Sequence, residues 1–382
     1  MRPASPRRRA LLRAGTALAL AGARLPARAG DEDEDHRAWQ HGIDLLRVDG
    51  RLLLIWGSAG NPPRPNLGGD WPHDIYYDWI DAAAPHAAIT PHVLVSRPEA
   101  QEPPSAALNS RGAILVTAED GEDDINQRAG LWDTQLRVRK RWPFTIRKGG
   151  HSGHAAALGE NFLVAYGEDW QEGGGFMDRG TGRNIYARLV DGSGGTGPEI
   201  TLARGHRDGW PVLAASDRNW LVAWQRYGAP PSLYAATVSG NGTAGAARLV
   251  ADGLPLRYAY DVAYAAAVER FVVMGNRGAH AFLALLDRDG AAVLMRDGLP
   301  PLASEARVVV REGGGECIAV YPMMPRGIAV LRVLPREVEL VRTVDHAHRW
   351  DYMGTTGLFT APGRVLLATL TLAGVRLFAF EF

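Results

Sequence analysis

The sequence predicts an all-β chain that folds as a single seven-bladed β-propeller. Three observations lead to this prediction. One type of apolar strand segment recurs seven times along the chain. Companion strands follow these segments, and turns rich in Asp, Gly and Asn, the residues of tight hairpins, separate the strands. Helical periodicity is nearly absent after residue 29, so the repeated units are built of strands.

The recurring segment is a run of apolar residues that often ends in an aromatic or polar residue. Its seven copies start between 46 and 62 residues apart, a spacing that suits one four-stranded blade per copy. The copies are RLLLIWG (51–57), AILVTAE (113–119), NFLVAYG (161–167), NWLVAWQ (219–225), RFVVMGN (270–276), ECIAVYP (316–322) and RVLLATL (364–370).

The two ends of the repeat region predict how the ring closes. The last unit has strand patterns at 355–361, 364–370 and 373–382, after which the sequence given ends without a fourth. The segment near 37–40 is a spare strand pattern that precedes the first unit. Because an unpaired edge strand invites aggregation, we expect this N-terminal strand to join the last C-terminal blade.

Two units carry a recognisable motif. The pairings LVAW with LYAATVSGNG and FLVAYGEDW with NIYARLVDGSG resemble the repeats of secreted bacterial β-propeller proteins. The resemblance implies the propeller fold and an exported compartment. Such repeats occur in enzymes, adhesins and other proteins alike, so the resemblance implies little about activity.

The first 29 residues have the pattern of an export signal. Arg7, Arg8 and Arg9 precede a short Ala/Leu run that ends in a small-x-small cleavage site, Ala27-Arg28-Ala29. The stretch from Arg8 to Arg13 resembles the twin-arginine export consensus. We therefore expect a cleaved signal (1–29), an acidic flexible tail (30–36) and the propeller (37–382), in a periplasmic or secreted protein.

Charge and cysteine content exclude several partners and chemistries. Seven of the 42 basic residues are arginines of the signal, which leaves 35 basic against 42 acidic residues in the rest of the chain. A net negative protein is a poor partner for nucleic acid. No segment is long and apolar enough to predict a membrane span. Cys317 is the sole cysteine, which excludes an intramolecular disulfide, and its apolar strand pattern predicts a buried thiol.

Propeller geometry predicts where a site would lie. When the strands of a blade are lettered A to D from axis to rim, the D–A and B–C connections of all blades emerge on one face. Long loops on a rigid scaffold commonly carry function. The catalytic candidates on this face are His151, Arg257, Tyr258 and Glu305, and the ligand-binding candidates are His41, Trp71, Glu168, Asp169, Trp170, His206 and Trp210.

Several of these residues have an alternative structural interpretation. His151 and His154 lie three apart, a spacing that turns their rings to opposite faces of a regular strand, so one ring could join two blades while the other lines the site. His206 could be a structural junction residue, and the acids of GEDW (167–170) could cap backbone N–H groups. We expect His151 to belong to the site because glycine surrounds it.

Two functions fit these features. The first is an enzyme that acts on a carbohydrate, most plausibly an acidic polysaccharide, as a lyase or hydrolase, with histidine and tyrosine for proton transfer and tryptophan for sugar faces. The second is a non-catalytic propeller that binds a glycan, a small molecule or a protein. No residue pattern identifies a cofactor, and we assign no metal ligand, although His346 and His348 are spaced for chelation.

Overall fold

The computed structural model describes residues 36–382, apart from 65–71, 82, 85–87, 122–124, 169–182, 256–257, 314–315 and 351–352. Antiparallel sheets follow one another along the chain and form a seven-bladed β-propeller, which confirms the predicted fold class. In every blade, strands that are consecutive in sequence are neighbours in the sheet.

The first four blades span residues 40–252. Blade 1 contains β1 (Gln40–Val48), β2 (Arg51–Ser58), β3 (Asp74–Ile80) and β4 (His92–Val95). Blade 2 contains β5 (Gln101–Leu108), β6 (Ala113–Asp120), β7 (Asn126–Asp133) and β8 (Val138–Lys148). Blade 3 contains β9 (Gly150–Leu158), β10 (Asn161–Glu168), β11 (Ile185–Val190) and β12 (Thr196–Ala203). Blade 4 contains β13 (Asp208–Ala215), β14 (Asn219–Arg226), β15 (Ser232–Ser239) and β16 (Arg248–Asp252).

The last three blades span residues 260–381. Blade 5 contains β17 (Tyr260–Ala265), β18 (Arg270–Arg277), β19 (His280–Leu286) and β20 (Ala292–Leu299), with a 3-10 turn at Ala266–Val268. Blade 6 contains β21 (Val309–Gly313), β22 (Glu316–Pro322), β23 (Arg326–Leu334) and β24 (Glu337–Arg349). Blade 7 contains β25 (Thr355–Ala361), β26 (Arg364–Thr371) and β27 (Gly374–Glu381).

The seven recurring segments of the sequence are the second strands of the seven blades. The middle residues of these strands are apolar because neighbouring blades cover both of their faces. In β14, for example, Trp220 and Trp224 are fully buried, and Trp220 Nε1 donates a hydrogen bond to Ala156 O of blade 3 at 3.0 Å. The core therefore lies between blades, and it forms a ring around the axis.

The polar turns of the repeat act as the sequence predicts. Asp191 follows β11, and its Oδ1 accepts hydrogen bonds from the backbone N–H groups of Ser193 and Gly195, each at 2.8 Å. Gly194 has a φ of +84°, which glycine adopts without steric cost. A short aspartate-glycine turn thus reverses the chain between the third and fourth strands of blade 3.

The predicted closure of the ring is wrong for residues 37–40. Blade 7 has three strands among the described residues, and the strand pattern near Arg37 does not pair with β27. Gln40 instead begins the first strand of blade 1, where it pairs with Ser58. The reason is that residues 37–39 form a turn, which leads directly into β1 and leaves no strand to pair with blade 7. Blades 7 and 1 still join, because the N–H of Gly42 donates to Met353 O at 3.2 Å.

Two smaller expectations concern burial and the membrane. Cys317 is 1% exposed in β22, as its apolar context predicts. Within the described part of the chain, the structure has no apolar helix of membrane-spanning length.

Candidate functional site

The first strands of the blades all begin on the same face, and the residues at their starts meet around the propeller axis. His41 comes from blade 1, His151 from blade 3 and Trp210 from blade 4. Tyr258 precedes the first strand of blade 5, and Glu305 precedes that of blade 6. Five residues that the sequence places in separate units therefore lie together.

A cavity of about 50 Å³ lies at this meeting point. Four of the residues singled out from the sequence line it, namely His41, Trp210, Tyr258 and Glu305. Its other polar or aromatic lining residues are His154, Tyr260, Asp261 and Arg307. We call this space the axial cavity.

His41 is held between two carboxylates. Its Nδ1 lies 3.4 Å from Glu102 Oε2, and its Nε2 lies 3.3 Å from Glu305 Oε2. Burial alone would lower the pKa of His41, but the negative charge of Glu305 and the hydrogen bonds with both glutamates outweigh it and raise the pKa to about 10. His41 is therefore a cation at neutral pH.

Glu102 is shared between two histidines. Its Oε2 also forms an ion pair with Nδ1 of His73, a fully buried residue at the end of the β2–β3 loop. Burial would raise the pKa of Glu102, but the charge of His73 and its contacts with His41 lower it to about 2. The group stays ionised, and it anchors the rim of the axial cavity to the loop of blade 1.

An aromatic wall faces these charged groups. The ring centroids of Trp210 and Tyr258 lie 3.7 Å apart, and the His41 ring lies 6.1 Å from Trp210. The guanidinium of Arg37 lies 5.7 Å from the Trp210 centroid and 5.9 Å from that of Tyr258. The site thus combines ring faces with fixed charges of both signs.

His151 contacts the other side of the same wall. Its ring meets Trp210 edge-on at 5.4 Å, and its Nδ1 lies 2.6 Å from Ser152 Oγ. Glu119 Oε1 lies 3.5 Å from His151 Nε2 and accepts the backbone N–H of Ser152 at 2.6 Å. Burial, followed by the positive charges of His41 and Arg37, lowers the pKa of His151 to about 3. His151 is therefore neutral at neutral pH.

His154 occupies a position that joins blades elsewhere in the ring. Asp44, Ser105 and Asp261 are its equivalents in blades 1, 2 and 5, since each pairs with the fifth residue of the recurring segment. Each accepts a backbone N–H hydrogen bond from the next blade. The bonds are Ala106 N to Asp44 Oδ2 at 2.7 Å, Ala155 N to Ser105 Oγ at 3.2 Å and Val308 N to Asp261 Oδ2 at 2.7 Å. His154 likewise meets the backbone of Pro211 in blade 4.

The two histidines lie on one side of β9, contrary to the expectation of opposite faces. His151 pairs with Gly167 and His154 with Ala165, so the two residues between the histidines oppose a single residue of β10. Because of this β-bulge, side chains that are three residues apart in β9 lie on the same side of the strand. His151 points to the axial cluster and His154 to the junction with blade 4.

Arg307 reaches across the axis beneath the cavity. Its guanidinium lies 3.1 Å from Asp261 of blade 5 and 3.7 Å from Asp44 of blade 1. Burial would lower the pKa of Arg307, but the charges of the two aspartates outweigh it and raise it. These ion pairs form the floor of the axial cavity.

Residues with a strained backbone conformation also lie in the cluster around the axial cavity. Among the described residues, Ser152, Trp210 and Glu305 belong to a small set of non-glycine residues with positive φ, at +52°, +56° and +51°. A non-glycine side chain in this region costs on the order of 1–3 kcal/mol, and such residues cluster at functional sites. The strain marks the cluster as a functional-site candidate.

Two other predicted site residues that the structure describes, Glu168 and His206, do not join the cluster. Glu168 accepts hydrogen bonds from Arg183 N at 3.0 Å and from Asn184 Nδ2 at 3.1 Å. It therefore has the structural role that the sequence offered as an alternative, since it caps a backbone N–H group between β10 and β11. His206 is exposed in the connection between blades 3 and 4 and does not line the cavity. The remaining candidates, Trp71, Asp169, Trp170 and Arg257, lie outside the described residues.

The candidates chosen from the sequence did not include several residues of the cluster, among them His73, Glu119 and Arg37. His73 ends the long loop of blade 1 on the axial face, Glu119 ends the apolar strand β6, and Arg37 precedes the first strand. A signal was present for Glu119, because its equivalent in blades 1 and 3 is glycine. A charged residue at the axial end of a buried strand indicates a site.

Groups of three or more potential metal ligands are absent from the described residues. His346 and His348 pack against rings of blade 7 instead. The His348 ring stacks on Phe378 at 4.7 Å, and the His346 ring lies 5.4 Å from Phe380. These histidines therefore belong to the outer contact between blades 6 and 7.

No family model and no curated protein matches this chain. Solved structures of similar fold include the BP39L lectin of Burkholderia pseudomallei, with a TM-score of 0.59 and 11% identity over 90% of this chain and 97% of the lectin. A fungal alcohol oxidase of the AA5 family in complex with copper has a TM-score of 0.55 and 14% identity, covering 90% of this chain and 74% of the oxidase. A protein from Lactobacillus plantarum has a TM-score of 0.55 and 13% identity, covering 86% and 92%. At these identities the likeness establishes the fold alone.

Proposed function

We propose that the protein binds a carbohydrate at the axial face. The observation that carries the proposal is the convergence of His41, Trp210, Tyr258 and Glu305 on one cavity. A sugar presents hydroxyl groups beside an apolar ring face. Charged hydrogen-bonding groups and aromatic rings in one site match both features. A bacterial lectin among the structures of similar fold supports the use of this scaffold for such a site.

The size of the axial cavity limits what can enter it. A water molecule needs about 10–15 Å³ of cavity volume, so a cavity of about 50 Å³ holds a few water molecules. A hydroxyl or hydroxymethyl group fits, whereas a sugar ring does not. We therefore propose that the ring lies over the mouth and that one of its substituents enters the axial cavity beside Glu305 and Tyr258.

The test is sugar binding by variants of the cavity wall. Tyr258→Phe and Glu305→Gln each remove a polar group with little change in shape. Loss of one charged or neutral hydrogen bond is worth about 1–3 kcal/mol, so we expect binding to weaken by roughly fivefold to a hundredfold. Calorimetric titration with a panel of neutral and acidic mono- and disaccharides measures this.

His206→Ala is the matched control, because His206 lies on the same face but outside the cavity lining. We expect this variant to bind like the wild type. A wild-type protein that binds no member of the panel, or two cavity variants that bind like the wild type, would contradict the proposal.

A second candidate is acid–base catalysis on the bound sugar. His41 is a cation and His151 is neutral, although both rings contact Trp210. Titratable groups with pKa values driven apart are typical of a general acid and a general base. Incubation with uronic-acid polysaccharides would release unsaturated, ultraviolet-absorbing products if the protein is a lyase. His151→Ala should then abolish them, and a lack of products from the wild type excludes the lyase.

A further inference from the structure

A second cavity of about 140 Å³ lies in the groove between blades 1 and 7. Trp56 and Tyr76 form its wall in blade 1, and Ser58 also lines it. The turn at Ala373 between β26 and β27 forms the wall in blade 7. We call this space the lateral cavity.

Its size suits one six-membered ring. A protein cavity of roughly 150 Å³ accommodates a benzene molecule. The lateral cavity has about 140 Å³, nearly three times the space of the axial cavity. A ring that cannot enter the axial cavity therefore has more room here, and the open side of the groove leaves space for its substituents.

The lining points to an uncharged, polar ring. The lining residues include no Asp, Glu, Lys, Arg or His among the described residues, and the polar ones include Gln40, Ser58 and Asn61. The Trp56 and Tyr76 rings stack at 5.9 Å with an interplanar angle of 23°. A charged ring would lose hydration here without a partner charge, whereas a neutral polyol carries no charge that needs a partner.

The groove is open on the side of blade 7. A Cβ atom added at Gly374 would meet no atom within 4 Å, and Ala373 is exposed. Gln40 lines the lateral cavity, and the next residue, His41, lines the axial one. The start of β1 is therefore shared by the two cavities, which makes them neighbours on the same side of blade 1.

We propose that the lateral cavity is a subsite for a neutral sugar ring of the glycan whose substituent enters the axial cavity. This inference rests on the proposed function, and it adds the class of the neighbouring sugar. It makes the recognised ligand at least a disaccharide with one uncharged residue.

The test uses Ala373→Trp, which fills the groove from an exposed turn. The probes are cellobiose, lactose, mannobiose and chitobiose, titrated by calorimetry. We expect at least a tenfold loss of affinity for the disaccharide that the wild type binds best. Ala361→Trp is the control, because Ala361 is also exposed in blade 7 but lies at the other end of the blade, where β25 ends and the chain turns into β26. It should bind like the wild type.

The outcomes separate the two proposals. If Ala373→Trp and the milder Ala373→Phe melt normally and bind the disaccharide like the wild type, while Tyr258→Phe weakens it, the lateral subsite is wrong and the axial site stands. If the wild type binds none of these sugars or their monosaccharides, the proposed function fails and the subsite with it. Loss of binding in both Ala373 variants, with Ala361→Trp unaffected, supports the subsite.

Discussion

His151 and His154 differ in role although they are three residues apart in one strand. Ser152, which lies between them, has a positive φ and donates its backbone N–H to Glu119. Gly153 follows because a Cβ there would come within 2.2 Å of the Gln127 side chain. The local sequence thus bends the strand so that one ring faces the axial cluster and the other the neighbouring blade.

Alanine variants of the two histidines should differ in stability. His151→Ala should lose ligand binding or activity with a near-normal melting temperature, because Glu119 still holds Ser152. His154→Ala should lose about 1–3 kcal/mol of unfolding free energy, because the blade junction loses a buried polar contact. Thermal melting and sugar titration of both variants measure this. A less stable but fully functional His151→Ala protein would mean that His151 is structural.

The ion pairs of His41 predict a pH dependence of stability. The pKa of His41 is raised from 6.5 to about 10, so its contribution is complete below pH 6.5 and is lost as the pH rises towards 10. The pKa of Glu102 is lowered from 4.5 to about 2, so its contribution is complete above pH 4.5 and is lost as the pH falls towards 2. Denaturant unfolding of the wild type and His41→Gln should therefore differ most between pH 4.5 and 6.5. A difference that stays constant up to pH 10 would contradict the ion pairs.

At the scale of elements, the second strand of each blade was the most predictable feature. These strands are buried on both sides, so their apolar runs are visible without knowledge of the neighbours. Strand partnership at the ring closure was less predictable, because the pattern at 37–40 fits either a last or a first strand. The side chains of His73 and Glu119 were missed for a related reason, since their direction depends on pairing register and loop path.

The strand β27 should be essential for folding. Phe378 packs on His346 at 4.9 Å, Phe382 lies 5.9 Å from Phe359, and Phe380 is 4% exposed. Burial of one such ring contributes roughly 1.5–3 kcal/mol, and deletion also exposes the edge of β26. A chain that lacks residues 373–382 should therefore not fold, as judged by circular dichroism and melting. Arg376→Ala, an exposed change on the same strand, should melt normally, and a truncated protein that did so would disprove the requirement.

At the scale of the whole molecule, the sequence predicts an exported protein. The signal at 1–29 lies outside the described residues, and export remains a proposal. Changing both Arg8 and Arg9 to Lys should leave unprocessed precursor in the cytoplasm if the twin-arginine route is used. Fractionation with antibody detection measures this. An unchanged periplasmic yield would point to the general secretory route.

The position of Arg307 has a consequence for how a polymer could approach. Because its guanidinium ties blade 1 to blade 5, a polymer that passed through the ring at this point would have to break both ion pairs. If the protein binds a glycan as proposed, a chain end or a branch would therefore reach the centre more readily than an interior segment of the polymer.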